Sequence, residues 1–179
     1  MRKIVASYFI SVDGVVESPQ SWHFPYFNSE MGAAVGTQMA ESDALLLGRR
    51  TYEEFAAHWS TQGSDVEFAD QINGTTKYVV SRTLSSADWR NTTLPGADPV
   101  GQIRQLREQP GKNISVTGSP TLARWLLAND LLDEISLLIH PIVVGKGQRL
   151  FDGDQQQSLA LVHSATFSTG VVHATYRTV

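Results

Sequence analysis

The stretch ISVTGSPTLARWLL, Ile114 to Leu127, reads as a strand, a tight polar turn and a helix. Leu122, Trp125 and Leu126 recur at i, i+3 and i+4, an inward-facing helical stripe. Ser119 stands at the helix N-cap and Pro120 at the first helical position. The joint Thr117-Gly118-Ser119-Pro120-Thr121 has two readings. One is a turn and a cap. The other is a phosphate cradle: Gly118 lets a backbone come close, while Ser119 and Thr121 add hydroxyls beside the free amides of a helix N-terminus.

Two more strands end in turns of this kind. In LLLGRRTYEE (45–54), Gly48 permits close approach, Arg49 and Arg50 bring charge and Thr51 a hydroxyl. Thr51 to Glu54 also matches a capping box, with Tyr52, Phe55, Ala56 and Trp59 as the apolar stripe of the helix it opens. In YVVSRTL (78–84), Ser81 and Arg82 suit a phosphate monoester held by a charge-assisted hydrogen bond. Each turn alone reads equally as a cap, a turn or a solvated side chain. Together they offer what a dinucleotide with an extra phosphate needs, a pyrophosphate cradle and a separate cationic pocket. In an open α/β sheet such ligands gather at the carboxyl ends of the strands.

The rest of the chain fits such a sheet. Lys3 to Ile10 reads as a first strand, followed by a loop whose turn signal is Asp13-Gly14. Asn28 or Ser29 caps a helix to about Ser42, with Met31, Val35 and Met39 on one face. Ser64 to Glu67 repeats the capping box and opens a shorter helix through Ile72. Asp98-Pro99 opens another, carrying Val100, Ile103 and Leu106 inward, and Pro110-Gly111 stops it. Residues 133–145 form one strand, or two separated by Pro141. Residues 158–167 and 171–179 flank Ser-Thr-Gly as a hairpin. Strands alternate with helices to about residue 140 and the chain finishes in β. The expectation is one α/β domain over 1–179, its sheet mostly parallel with an antiparallel hairpin at the edge.

Composition narrows the function. The chain has 179 residues, 41% hydrophobic and 18% charged, with a net charge of −4. No basic block is present, so no nucleic acid is expected as a partner. There is no cysteine, which excludes disulfides, a cysteine nucleophile and thiolate zinc sites. The histidines include no HExxH; His163 and His173 face one another in the expected hairpin without a third ligand nearby, so no metal is expected. MRKIVASYFISVDG lacks the long apolar run of a signal peptide, and no run reaches membrane-spanning length. The expected location is cytoplasmic.

GRRTYE, KYVVSRTL, VTGSPTLARWLL, LLDEISLLIHPIVVGKGQRLF and the early SVDG, in this order over nearly the whole chain, resemble the dihydrofolate-reductase-like family. The likeness is greatest to the reductase domain at the C-terminus of the bifunctional riboflavin-biosynthesis deaminase–reductase and to its small stand-alone relatives. The resemblance implies a dihydrofolate-reductase-like three-layer fold, with NADPH lying across the strand ends, and frequent homodimers. Carried onto this sequence, it places Gly48, Arg49 and Thr51 on the cofactor phosphates and Ser81 and Arg82 on the adenosine 2′-phosphate. Thr117, Gly118, Ser119, Thr121 and Leu122 line the pyrophosphate. Two departures stand out. The family's glycine turn often reads Gly-Gly, where this chain has Gly118-Ser119. Classical folate reductases carry a substrate-binding carboxylate on the helix after the first loop, where this chain has only Glu30 near the start. The linked deaminase, which needs a His/Cys zinc site, is absent.

Hydride transfer belongs to the nicotinamide; the protein orients, excludes water and supplies a proton. The acids beside the expected site are Asp13, Glu17 and Asp152, with Asp13 the candidate donor. Trp22, His23, Phe24, Tyr26 and Phe27 crowd one loop, either to stack on a flat heterocycle or to pin the loop. Trp22, Phe27 and Tyr52 are the expected substrate contacts. The sequence therefore reads as an NADPH-dependent reductase of a small pterin-like or pyrimidine-like heterocycle. The alternatives are a non-catalytic nucleotide-binding module on the same fold, and a structural dimer without cofactor.

Overall fold

The computed structural model describes residues 1–153 and 156–179. In chain order they form β1 (Ile4–Ser11), α1 (Ser29–Ala40), β2 (Ser42–Gly48), α2 (Arg49–Trp59), α3 (Ala69–Gly74), β3 (Thr76–Val80), β4 (Thr92–Thr93), α4 (Pro99–Glu108), β5 (Asn113–Val116), α5 (Pro120–Ala128), β6 (Glu134–His140), β7 (Leu159–Thr166) and β8 (Val172–Thr178). The strands make one sheet in the order β4-β3-β2-β5-β1-β6-β8-β7. From β4 to β6 every neighbouring pair is parallel. β8 returns antiparallel between β6 and β7, so the C-terminal hairpin forms the sheet's edge as expected.

The period-2 alternation of β1 divides the core. Ile4, Ala6, Tyr8 and Ile10 pack with Ile103 and Leu106 of α4 and with Leu122 and Leu126 of α5. On the opposite face, Met31 of α1 packs with Leu138, Phe167 and Val171, and Tyr52 of α2 packs with Leu47, Val79 and Trp89. The sheet thus lies between two helical layers.

Several boundaries differ from the sequence reading. β2 runs straight into α2, whose N-cap is Gly48, so Thr51 is the third helical residue and not a cap. Gly48 instead spends its amide on Gly118 O at 3.1 Å, which brings the helix start forward by a turn. The box at Ser64–Glu67 opens no helix: Val66 N–H donates to Gly63 O in a tight turn, and α3 starts only at Ala69. Residues 133–145 give one strand, ended at His140 by Pro141. A bulge in β7 sets His163 opposite Thr175 and His173 opposite Ala165. The two histidines are therefore diagonal neighbours, with ring centroids 5.6 Å apart, and His173 Nε2 bonds Ser136 Oγ at 2.9 Å.

Candidate active site

β3, β2 and β5 are neighbours in the sheet and leave it at one end. Gly48 lies opposite Val80 in register, and Gly48 N–H donates to Gly118 O at 3.1 Å. The turns that follow these strands therefore begin side by side. The joint between two of them is packed to contact. A Cβ on Gly48 would lie 2.5 Å from Ser119 Oγ, and one on Gly118 would lie 2.5 Å from Thr51 Oγ1. The Gly118–Ser119 peptide is cis. The Ser119 side chain lies against Gly48 and also accepts from Leu122 N–H at 3.3 Å. Tyr8 Oη donates to Ser119 O at 3.0 Å, and burial raises the pKa of that phenol, keeping it a donor.

The two helix ends at this joint differ. In α5, Pro120 has no N–H and Ser119 takes the Leu122 amide, so the cap that the sequence suggests is formed. In α2 no side chain caps the first turn, and its amides carry the positive end of the helix dipole. Arg49 turns back along α2 to Glu53, at 2.8 and 3.0 Å, while Arg50 is exposed and lines the neighbouring cleft. At the third turn Ser81 Oγ accepts from Leu84 N–H at 2.9 Å and Thr83 N–H at 3.2 Å. Arg82 beside it is exposed and has no ion-pair partner among the described residues. Thr121 Oγ1 is exposed and lies 3.4 Å from both Arg124 Nη2 and Gln148 Nε2.

Between the sheet and α1, α2 and α3 lies a cleft of about 500 Å³. Its apolar walls include Phe9, Val35, Leu45, Phe55 and Trp59, and its polar lining includes Ser7, Gln38, Ser115 and Thr117. This is the size and mixed character of a small-molecule site. Of the expected cofactor contacts, Thr51, Thr117, Gly118 and Ser119 line it, as do Arg50 and Glu17.

Others are placed elsewhere. Leu122 is buried in the core with Leu126, and its amide is taken by Ser119, so it has nothing to offer a cofactor. Tyr52 is 5% exposed on the core side of α2, where its hydroxyl accepts from Trp89 N–H at 3.2 Å. Trp22 is buried against His140 and donates Nε1–H to Glu17 O at 3.2 Å, pinning its loop. Phe27 is exposed and its ring lies over Gly32. The three expected substrate contacts thus all lie outside the cleft, whose aromatic lining comes instead from Tyr8, Phe9, Phe55, Trp59 and Phe68.

The acids are also spoken for. Asp13 accepts from Ser11 Oγ at 2.6 Å, Val144 N–H at 3.0 Å and Gly145 N–H at 2.8 Å. The Ser11 hydroxyl and these amides hold its pKa down to about 2, so it is an ionised loop staple and not a proton donor at neutral pH. Asp152 pairs with Arg124. Glu30 accepts from Asn28 at 2.8 Å and from the Ser168 amide and hydroxyl at 2.8 and 2.6 Å, tying α1 to the β7–β8 turn. Glu17 lines the cleft and accepts from Gln148 N–H at 2.8 Å. Sequence reading passed over Ser7, Gln38 and Ser115. The available signal was a hydroxyl residue inside otherwise apolar strands, IVASYFIS and NISV.

Comparison with known proteins agrees with this geometry. The family model described as the RibD C-terminal domain matches residues 2–173. The Bacillus subtilis (strain 168) protein YyaP is 28% identical over 182 residues, covering 98% of this chain and 94% of that one. A candidate riboflavin biosynthesis protein from Shewanella sp. PV-4 superposes with a TM-score of 0.81 at 18% identity, over 99% of both chains. Dihydrofolate reductase from Enterococcus faecalis, complexed with NADP(H), gives a TM-score of 0.65 at 13% identity, over 98% of this chain and 96% of that one. The fold is dihydrofolate-reductase-like.

Proposed function

This chain belongs to the RibD C-terminal domain family, and from that premise we propose that it is an NADPH-dependent reductase of a small heterocycle. The family supports an oxidoreductase acting on a pyrimidine- or pterin-like substrate. The choice of NADPH rests on one observation above all. Three polar turns leave adjacent parallel strands at one end of the sheet, two of them interlocked through Gly48, Ser119, Gly118 and Thr51, beside a cleft large enough for a heterocycle.

The residues fit that cofactor. The uncapped first turn of α2, with Gly48 at its N-cap, Thr51 packed on Gly118 and the Arg49–Arg50 pair, suits a pyrophosphate better than the capped α5. Thr117, Gly118 and Ser119 flank it from the turn between β5 and α5, and Thr121 from the first turn of α5. Ser81 and the free guanidinium of Arg82 suit a 2′-phosphate. Bound there, NADPH would supply the hydride. The protein's part is to hold the substrate ring in an apolar-walled cleft and keep water from it.

The same reading takes residues 1–179 as one unit, working in the cytoplasm as a homodimer. No helix among the described residues is long and apolar enough to cross a membrane. The edge strand β7, with Leu161 and Val162 more than half exposed, supports pairing of two copies, and sedimentation equilibrium tests it.

Titration followed by the fluorescence of the reduced nicotinamide decides the cofactor. Saturable binding of NADPH, tighter than of NADH, is expected. Saturable binding of neither overturns the reading.

A further inference from the structure

We propose that His163 and His173 form a two-imidazole site for a divalent transition-metal ion, on the edge hairpin and apart from the cleft. The inference is independent of the reductase reading, since among the described residues none of β7 or β8 lines the cleft.

A change of register makes the pair. From Leu159 to Leu161, β7 runs against Thr178 to Tyr176. Continued without interruption, that register would set His163 opposite Ala174, on the other face of the sheet from His173. The bulge between Leu161 and His163 shifts it by one residue, so that His163 stands opposite Thr175 and Ala165 opposite His173. A bulge re-aims a side chain in this way at the expense of local ladder pairing. His163, Thr175 and Ser136 now share one row across three strands, and Ala165, His173 and Leu138 share the next row on the same face.

His173 leans out of its row into the other, because its Nε2 bonds Ser136 Oγ at 2.9 Å. There its ring meets that of His163, with centroids 5.6 Å apart and planes at 71°. An ion about 2.0–2.1 Å from one nitrogen of each ring sets the ring centres roughly 5–6 Å apart at tetrahedral to trigonal angles. The pair already stands at that separation. A hydroxyl both donates and accepts, so Ser136 serves the tautomer with its proton on Nε2, in which Nδ1 offers a free lone pair. A hydrogen bond on the far nitrogen is how a ligating histidine is commonly oriented. His163 is exposed and has no hydrogen-bond partner among the described residues, so an ion reaches it from solvent.

No third histidine, aspartate or glutamate joins the pair among the described residues, which leaves the other positions of the ion to water. The carboxylate one row further on, Glu134, stands opposite Arg177 and pairs with Lys3 at 2.6 Å. Two imidazoles without a carboxylate suit Cu2+, Ni2+ or Zn2+. They do not suit Ca2+ or Mg2+, which take oxygen ligands. The sequence argues against a metal here for want of a third ligand, but two imidazoles and water complete a shell for ions of this class. The two rings belong to neighbouring strands, so the ion clips the edge strand β7 to β8 and stabilises the native arrangement that binds it.

Titration of the untagged protein with Cu2+, followed by calorimetry and electron paramagnetic resonance, tests this. One saturable Cu2+ per chain is expected, with hyperfine coupling to two nitrogens and a rise in thermal midpoint. Losing an outer partner of a ligating histidine costs about ten- to hundredfold in metal affinity, so Ser136→Ala should weaken binding about tenfold. His163→Ala and His173→Gln, which remove a ligand, should weaken it by more. His58→Ala, which removes an exposed histidine of α2, should bind as the wild type does. Circular dichroism of each variant separates misfolding from loss of the site. Wild-type affinity in a folded His163→Ala, or lost binding in a folded His58→Ala, overturns the proposal. So does the absence of a saturable site in the wild type.

Discussion

Gly48 and Ser119 share one space: a Cβ on Gly48 would lie 2.5 Å from Ser119 Oγ and 3.2 Å from the Ser119 backbone nitrogen. Ser119 is accommodated because the residue facing it has no side chain. Gly48→Ala is therefore expected to destabilise the protein by about 1–3 kcal/mol, the usual cost of overpacking a tight contact, and to weaken NADPH binding. Ser119→Gly in the same chain should restore most of both, leaving the residual backbone contact. Urea denaturation of the two single variants and the double variant gives the coupling. Strictly additive effects would show that the two residues do not share this space.

Arg82 is exposed, with no ion-pair partner among the described residues, and the proposed function gives it the discrimination between NADPH and NADH. Losing a charged hydrogen bond costs roughly 1.5–3 kcal/mol, so Arg82→Ala should lower the NADPH-to-NADH affinity ratio about tenfold or more. Arg49→Ala should change the ratio far less, because Arg49 already pairs with Glu53. An unchanged ratio in Arg82→Ala would move the 2′-phosphate elsewhere.

The frame of the fold was legible in the sequence, and of the candidate cleft only the lining that comes from the turns after β2 and β5. Alternation in IVASYFIS, the Ser119-Pro120 and Asp98-Pro99 helix starts and the C-terminal hairpin are local signals, and each appears in the structure. Thr51 misled because a capping box is also just a Thr and a Glu three apart, and the long-range bond from Gly48 to Gly118 won over it. β4 has two residues and no pattern to read. Lys77 is wholly buried within β3, donating to Asn73 O, Thr75 O and Arg90 O over the Trp89 ring, and no local rule anticipates that. Tyr52 and Trp22 show the general difficulty. Whether an aromatic faces core or ligand depends on which helix lies opposite, and spacing along one element does not contain that information.

Asp13 ties the loop after β1 to Val144 and Gly145, and its ionised form makes those bonds. Its pKa falls from 3.8 to about 2 in the fold, so the stabilisation is complete above pH 4 and is lost as pH falls through about 2. The wild type should exceed Asp13→Asn in thermal midpoint by a constant margin above pH 4, and the margin should shrink toward pH 2. Above pH 5, Asp13→Asn should leave the shape of the pH–rate profile unchanged, since the staple carries no proton there. A new or lost limb in that range would return Asp13 to the chemistry.

His140 is fully buried at the end of β6, where Nδ1–H donates to Leu138 O at 2.7 Å. In the neutral ring this leaves Nε2 without a partner, among the edge-on rings of Phe9, Trp22 and Tyr26. His23 stacks on the same Phe9 at 4.5 Å and lies 6.1 Å from His140. Burial lowers both pKa values, and for His23 the neighbouring His140 lowers it further. The unfolded chain takes up protons at these sites near pH 6.5, before the folded one does. Stability is therefore full above pH 6.5 and falls as pH drops below it, by up to about 1.4 kcal/mol per pH unit for each histidine still neutral in the fold. Denaturation at pH 7 and pH 5 measures this directly. His140→Phe, which keeps a ring and removes the titrating nitrogen, should lose less stability between the two pH values than the wild type. Equal losses would mean that His140 takes its proton in the folded protein as readily as in the unfolded chain.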